Sequence, residues 1–245
     1  MKHLHFASTI LIALSLHATA GFSKELPELL LNDPNNAPYT TQHQDGFLDI
    51  IAGEAFKRVG YKLRLEKFPN ERALLNANNG TTDGDLNRVS GLEKLYPNLI
   101  QVPEKIRDTH FCAWSKNQGI KGTPEEIRRH TVGYVRGWKI FEQMMSGAAN
   151  IVITEDPEQL LRLLSLGRIE IALYVCEETA KIADDLHNHQ LYVLEPRFPA
   201  IPLYTYLHKK HAALVPKYSA ALRALKAEGF YDKIYRDKVT QQIKP

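Results

Sequence analysis

The feature that most constrains the fold is an alternation of strand-like and helix-like segments. Glu25 to Leu31 reads as a strand, and Phe47 to Val59 places apolar residues at helical spacing. Tyr61 to Phe68 alternates apolar and polar residues, as a strand with one buried face does. A second helix starts at Pro69 to Arg72, and Asp83 to Val89 is again a strand. This order is typical of a parallel sheet with helical crossovers.

The same alternation restarts in the middle of the chain. Thr131 to Val135 is a predicted strand, and further helices and strands follow it as far as Leu194. Two extended segments, Thr109 to Ser115 and Ile201 to Leu207, flank this second unit and suit two crossings between lobes. We therefore predict an α/β fold of two lobes, each with a mixed, mostly parallel sheet flanked by helices, joined by two hinge crossings. The predicted boundaries are 21–112 with 204–245 for lobe 1 and 113–203 for lobe 2.

The amino terminus has the pattern of a secretory signal peptide. Lys2 precedes an apolar run from Phe6 to Leu16, and Ala18 to Ala20 supplies small residues for cleavage near Ala20. The apolar run is too short to cross a bilayer, which takes about 20 residues. Residues 1–20 are therefore predicted to be removed, and the mature protein is expected in a periplasm.

Composition and motifs exclude several classes of function. The formal net charge is +3, and the basic residues are interspersed with acidic ones, so the basic stripe of a nucleic-acid binder is missing. His187 and His189 have no acidic or cysteine partners at ligand spacing, so we expect no metal site. The sequence has no glycine loop of the kind that cradles phosphates, and we expect no cofactor.

The two cysteines, Cys112 and Cys176, leave two alternatives open. They can form one disulfide in an oxidising compartment or remain two buried thiols. Cys112 lies in a predicted hinge strand and Cys176 starts a predicted helix of lobe 2. Because a bond between them is expected to restrain closure of the lobes, we predict free thiols.

Five ordered segments resemble those of the family 3 extracellular solute-binding proteins, which have the type II periplasmic binding protein fold and serve amino-acid ABC importers. These segments are Gly46 to Ile51 (GFLDII), Lys57 to Gly60 (KRVG), Gly80 to Gly84 (GTTDG), Val132 to Gly137 (VGYVRG) and Leu166 to Glu170 (LGRIE). The resemblance implies a monomer, not an enzyme, that closes on a small solute between its lobes. It also implies a membrane partner, either the permease of an ABC importer or a sensor kinase.

The sequence departs from the family where ligands are held. Members that bind amino acids have a Thr or Ser and an Arg after the strand that corresponds to Asp83 to Val89, where they take the carboxylate of the ligand. Ser90 fits the hydroxyl, but Arg88 or Lys94 must replace the arginine. The acid expected in lobe 2 is replaced by Tyr174, and the next carboxylate is Glu177.

Arg88 is the central candidate on chemical grounds as well. Ligands of open α/β sheets bind beyond the carboxyl ends of the strands, and a guanidinium there suits carboxylate or phosphate. Arg88 has the alternative of lying in a solvated turn, and Asp85 has the alternative of an ion pair with Arg88. Ordinary packing is the alternative for Tyr39, Trp138 and Tyr174. The candidate ligand-binding residues are Tyr39, Glu71, Arg72, Asp85, Arg88, Ser90, Arg136, Trp138 and Tyr174, and no residue is assigned a catalytic role.

The sequence therefore predicts a periplasmic protein that captures a small polar or anionic solute, amino-acid-like or an organic acid. The alternative is a periplasmic dehydratase on the same fold, in which a carboxylic acid protonates a leaving hydroxyl. Glu71 and Asp85 are the two acids available for that role.

Overall fold

The computed structural model of the chain describes residues 25–33, 37–185 and 190–240. The predicted signal peptide, Met1 to Ala20, lies outside the described residues, as do His187 and His189. Within the described residues, no helix has both the length and the apolar character that a membrane span requires.

The predicted α/β fold is confirmed, and its strands and helices alternate as expected. The strands are β1 (Glu28–Asn32), β2 (Lys62–Glu66), β3 (Gly84–Val89), β4 (Leu99–Gln101), β5 (Arg107–Thr109), β6 (Phe111–Ser115), β7 (Thr131–Val135), β8 (Asn150–Thr154), β9 (Ile171–Val175), β10 (Tyr192–Val193) and β11 (Ile201–His208). The α-helices are α1 (Phe47–Arg58), α2 (Asn70–Asn78), α3 (Pro124–Ile127), α4 (Lys139–Met144), α5 (Pro157–Ser165), α6 (Cys176–Asp185), α7 (Val215–Ala227) and α8 (Phe230–Tyr235).

Lobe 1 is built on a sheet with the order β2-β1-β3-β11-β4, and β5 also pairs with β11. The alternation in β2 turns its charged residues to solvent and Leu63 and Leu65 toward the core. Helix α1 covers this core with Phe56, whose ring stacks on Tyr218 of α7 at a centroid distance of 4.0 Å. Each such fully buried large side chain stabilises the lobe by about 1.5–3 kcal/mol.

Lobe 2 is built on a second sheet with the order β10-β6-β9-β7-β8. Strand β9 is buried along its whole length, as expected of a central strand covered on both faces. Phe111 of β6 and Phe141 of α4 pack edge to face in the core of this lobe, with ring centroids 5.1 Å apart. Helix α5 covers the sheet with Leu160, Leu161 and Leu164.

The sheets are mixed, but the expectation that they are mostly parallel needs a correction. Strand β11 runs antiparallel to β3, β4 and β5, and β6 runs antiparallel to β9 and β10. The parallel pairs are β1 with β2 and β3, and β7 with β8 and β9. Two parallel neighbours in one sheet are joined by a crossover connection. Strands β6 and β11 have no such connection before them, because each enters its sheet from the other lobe. Both strands run antiparallel to their neighbours.

The two strands that cross between the lobes also locate the hinge. The chain leaves the first sheet after Thr109, passes His110 and enters the second sheet at Phe111. It returns through 194–200, between β10 and β11. The boundaries predicted at 112/113 and 203/204 fall within β6 and β11.

The prediction of free thiols is wrong, because Cys112 and Cys176 form a disulfide. Their Cα atoms are 5.1 Å apart, a separation that a disulfide spans. Cys112 lies in β6 directly opposite Tyr174 of β9, and Cys176 follows β9 immediately. Since Cys112 lies in β6 and Cys176 begins α6, both in lobe 2, the bond links two parts of one lobe and does not join the two lobes.

Candidate ligand-binding cleft

A cavity with a volume of about 690 Å³ lies between the two lobes. Its walls come from segments that follow strand ends of both sheets, which is where ligands of open α/β sheets bind. Lobe 1 contributes Ala37, Lys67, Phe68, Pro69 and Asn70, and lobe 2 contributes Val135, Glu155, Asp156, Pro157, Glu158, Tyr174, Glu178 and Ile182. The volume falls in the usual range for small-molecule sites.

Acidic side chains dominate the charged lining of this cavity. Among the described residues, four carboxylates and one cation, Lys67, line it. Glu155 is paired with Arg136, whose Nε lies 2.9 Å from Glu155 Oε1 in an exposed ion pair. Asp156 accepts a hydrogen bond from the backbone N–H of Gln159 at 2.7 Å and so caps α5. The cavity therefore has a negative electrostatic character on the lobe 2 side.

Tyr174 and Glu178 form the buried part of the lobe 2 wall. The Tyr174 hydroxyl donates to Glu178 Oε2 at 3.2 Å, and both residues are almost inaccessible. Burial raises the pKa of Tyr174 well above its ordinary value, and the neighbouring Glu178 carboxylate adds to the shift. The tyrosine therefore stays neutral at physiological pH and can act only as a hydroxyl donor or acceptor.

Glu178 is a buried lining residue that sequence reasoning missed, along with the exposed acids Glu155, Asp156 and Glu158. The search for an acid stopped at the end of β9, but the carboxylate is supplied by the first turn of α6. Glu178 follows Tyr174 by four residues, and the chain turns directly from strand to helix between them. The signal in the sequence was the pair Glu177-Glu178 at the start of a predicted helix, where acidic side chains are favoured.

Arg88 lies outside the large cavity and is held by the protein itself. Its Nη2 lies 2.8 Å from Asp85 Oδ2, in a pair whose members are 6% and 0% exposed. Its Nη1 and Nη2 donate to Asn70 Oδ1 at 3.2 Å and to Asn70 O at 3.3 Å. Asn32 Nδ2 donates to the same Asp85 oxygen at 3.1 Å. The guanidinium thus ties the start of α2 to β3 rather than facing the cavity.

A second and much smaller void separates Arg88 from lobe 2. It has a volume of about 20 Å³ and is lined by Arg88, Gly137 and Trp138 among others. Such a void has room for roughly one water molecule. In the described part of the chain no hydrogen-bond partner reaches Arg88 Nε, Asp85 Oδ1 or Trp138 Nε1. In this conformation the space next to Arg88 is too small for an organic ligand.

Glu71 bridges the two lobes. Its carboxylate lies 2.7 Å from Lys139 Nζ of lobe 2 and accepts a hydrogen bond from the Tyr96 hydroxyl at 2.9 Å. Burial by itself acts to raise the pKa of Glu71, but the bonds from Lys139 and Tyr96 outweigh it and hold the pKa below the ordinary value. The bridge is therefore ionised at neutral pH, and it connects α2 with the start of α4.

Gly137 allows the lobes to approach this closely. Its φ is +80°, and a Cβ on it would lie 2.6 Å from Glu71 N and 2.7 Å from Asn70 Cβ. Only glycine combines this backbone conformation with contact against the start of α2. The turn after β7 is thus the point where lobe 2 meets lobe 1.

Tyr39 and Trp138 are packing residues in this structure. Tyr39 is buried in lobe 1, where the Arg107 guanidinium lies 3.8 Å from the centre of its ring. Trp138 is 9% exposed and packs edge to face on Phe111 and Tyr174, at centroid distances of 5.6 and 5.4 Å. Trp138 supports the Tyr174 ring from behind, so it shapes the cleft indirectly.

The remaining candidates are on the surface. Ser90 is exposed, and its hydroxyl donates to Gln101 Oε1 at 2.9 Å. Arg72 is exposed on α2, and Arg136 is exposed at the edge of the cleft beside Glu155. Among the nine candidates, Tyr174 lines the large cavity, and Arg88 and Trp138 line the small void.

Comparison with known proteins agrees with this geometry. No family model matches the chain. A histidine kinase sensor domain with similarity to periplasmic binding proteins superposes with a TM-score of 0.75 at 16% identity, over 87% of this chain and 96% of that one. The chain has the two-lobed fold of the type II periplasmic binding proteins.

Further structures and one sequence extend the comparison. An ancestral arginine-binding protein bound to arginine has a TM-score of 0.73 at 18% identity, over 86% of this chain and 98% of its own. An arginine transport periplasmic binding protein from Legionella pneumophila has a TM-score of 0.69 at 14% identity, over 87% of this chain and 100% of its own. An uncharacterized protein of Shewanella oneidensis is 26% identical, over 92% of each chain.

Proposed function

We propose that this chain is a solute-binding protein that closes its two lobes on a small polar organic solute. The observation that carries the proposal is the 690 Å³ cavity, whose walls come from both lobes at the ends of their strands. The Lys139–Glu71 bridge and the Gly137 contact hold the lobes together beside this cavity. Similar structures bound to arginine and to glutamine support a ligand of amino-acid size.

The charge of the lining favours a solute with a positive group over the anionic solute considered from sequence. Three of the four carboxylates are exposed and screened by solvent, so the buried Glu178 contributes most of the field. Burying an anion beside this side chain costs free energy, whereas an ammonium or guanidinium forms a charge-assisted hydrogen bond with it.

The proposed setting is the periplasm, with a membrane component as partner. The structural neighbours include a histidine kinase sensor domain and a substrate-binding protein of an amino-acid ABC transporter, which supports a sensor kinase or a permease as the partner. The signal peptide predicted for Met1 to Ala20 supports export. We propose a monomer that delivers its solute to a permease or a sensor kinase.

The two acids considered for a dehydratase are unsuited to proton donation. Glu71 has a lowered pKa and is ion-paired with Lys139, so it is ionised at neutral pH. Asp85 is fully buried and paired with Arg88, out of reach of a substrate in the large cavity. A general acid needs a proton to give and access to the leaving group. Binding is therefore the function that the geometry favours.

Thermal denaturation in the presence of a solute panel tests this proposal. The panel contains amino acids, organic acids, polyamines and other alkyl amines, with neutral sugars as the control class. We expect at least one positively charged compound to stabilise the protein, by about 2.7 kcal/mol at a concentration of 100 times its Kd. A panel in which no compound changes the melting temperature contradicts the proposed function.

A further inference from the structure

We infer that the cleft is built for an organic cation that carries no carboxylate, such as an alkyl amine or an alkyl guanidine. This inference rests on the proposed function and names the chemical class of its solute. A protein that binds amino acids holds both the ammonium and the carboxylate of its ligand. In this cleft the lining suits a cationic group, but it offers no suitable partner for a carboxylate.

Arg88, the arginine considered from sequence for a ligand carboxylate, is already neutralised by the protein. Arg88 has an ion pair with Asp85 at 2.8 Å and two hydrogen bonds to Asn70. The void beside it, about 20 Å³, cannot hold a carboxylate group. A ligand carboxylate would have to displace Asp85, which is fully buried and leaves an uncompensated charge if it loses Arg88.

The helix N-termini around the cavity are of the kind that binds anions in other proteins. Each of them carries an acidic residue of the chain itself in its first turn or at its cap. Glu71 is in the first turn of α2, Asp156 caps α5 with Glu158 behind it, and Glu178 is in the first turn of α6. Asp156 accepts from the first turn of α5, and the carboxylates of Glu158 and Glu178 repel a ligand anion. Among the described residues, Lys67 is the one cation that lines the cavity.

The lobe 2 wall of the cavity carries the acceptor groups that an organic cation needs. Glu178 and the Tyr174 hydroxyl form a buried acceptor pair on the lobe 2 wall, and Asp156 and Glu158 lie on the same wall. An ammonium or guanidinium has only donors, so this wall suits it. The two carboxylates at the start of α5 also attract a cation as it enters.

The apolar part of the lining suits a chain of methylene groups. Lobe 1 contributes Phe68 and Pro69, and lobe 2 contributes Val135, Pro157 and Ile182. Burying each methylene of a ligand against such a surface is favourable by about 0.8 kcal/mol in transfer terms. The lining therefore combines carboxylates with apolar side chains, the complement of a cation on an alkyl chain.

A matched pair of ligands tests the inference on the unmodified mature protein. Agmatine and L-arginine share the guanidinium and the alkyl chain, and they differ in the carboxylate. Isothermal titration calorimetry on protein dialysed free of co-purified solute compares the two, with putrescine, spermidine and L-glutamate alongside. We expect agmatine, putrescine or spermidine to bind, and agmatine to bind about tenfold or more tightly than L-arginine, because the carboxylate meets four like charges.

Two results overturn the inference, and they have different meanings for the proposed function. In the first result, L-arginine binds as tightly as agmatine, or the protein binds an amino acid or organic acid of the wider panel but no carboxylate-free cation. The inference is then wrong, and the proposed function stands. If no compound of either set binds, both are wrong.

Discussion

Removing the Cys112–Cys176 disulfide is expected to lower the free energy of unfolding by about 4 kcal/mol. The two cysteines are 64 residues apart in sequence, and the chain-entropy account gives about this value for a loop of that length. The loss is expected to fall on lobe 2, because both cysteines belong to that lobe, Cys112 in β6 and Cys176 at the start of α6. Chemical denaturation of the Cys112→Ala/Cys176→Ala variant, followed separately by the signal of each lobe, measures the effect.

Reductant provides the matched control for this prediction. Wild-type protein in dithiothreitol should unfold at nearly the denaturant concentration of the double variant, and the double variant itself should not respond to reductant. The Cys112 side chain is buried, so alanine is preferred to serine, whose hydroxyl would be buried without an assured partner. A wild-type protein whose unfolding midpoint is the same with and without dithiothreitol would show that the bond does not stabilise the fold.

Replacing Glu178 with glutamine is expected to weaken binding of the solute by about 10- to 100-fold, the usual effect of losing one charged hydrogen bond. Glutamine retains the shape of the side chain and an oxygen that accepts from the Tyr174 hydroxyl, so the fold is expected to persist. The measurement is the Kd of the tightest compound of the panel, by calorimetry, for wild-type and variant protein at the same ionic strength.

Glu125→Gln is the matched control for Glu178→Gln. Glu125 is an exposed residue in the first turn of α3 in lobe 2 and does not line the cavity. Its substitution removes the same charge from the molecule without touching the cleft, and an unchanged Kd is expected. Equal Kd values for the two variants would show that Glu178 does not contact the solute.

The fold was predictable because local patterns and long-range packing agree. Helix α1 has apolar residues at helical spacing, and β2 alternates in a way that one buried face explains. Thr123 and Asp156 cap their helices just before a proline, a start signal that is visible in the sequence. Each of these signals lies within a few residues, so no knowledge of the tertiary structure is needed.

The disulfide was not predictable from the same kind of signal. Whether Cys112 and Cys176 meet depends on the antiparallel pairing of β6 with β9, which are about sixty residues apart in sequence. The hinge argument placed Cys112 in a crossing strand, but the predicted boundary at 112/113 left Cys112 on the lobe 1 side, whereas β6 belongs to the sheet of lobe 2. A strand that enters its sheet from another lobe has no crossover helix to reveal its neighbour.

The sequence indicated which candidate residues follow strand ends but not which partners their side chains contact. Arg88 does lie at the end of β3 next to the cleft, but its charge is taken by Asp85, an alternative that the sequence left open. Whether a buried arginine serves a ligand or a neighbouring carboxylate depends on side-chain directions, which periodicity does not determine. Glu178 was missed for a related reason, since its position relative to Tyr174 depends on an abrupt change from strand to helix.

The central claim is that the solute binds between the lobes, in contact with both. The most direct measurement is a two-dimensional amide NMR titration of the isotope-labelled mature protein with agmatine. The account predicts that the largest shift changes fall in two groups, 67–70 of lobe 1 and 155–158 with 174–178 of lobe 2, at a common Kd. Shift changes confined to one lobe, or centred on residues away from this cavity, would contradict it.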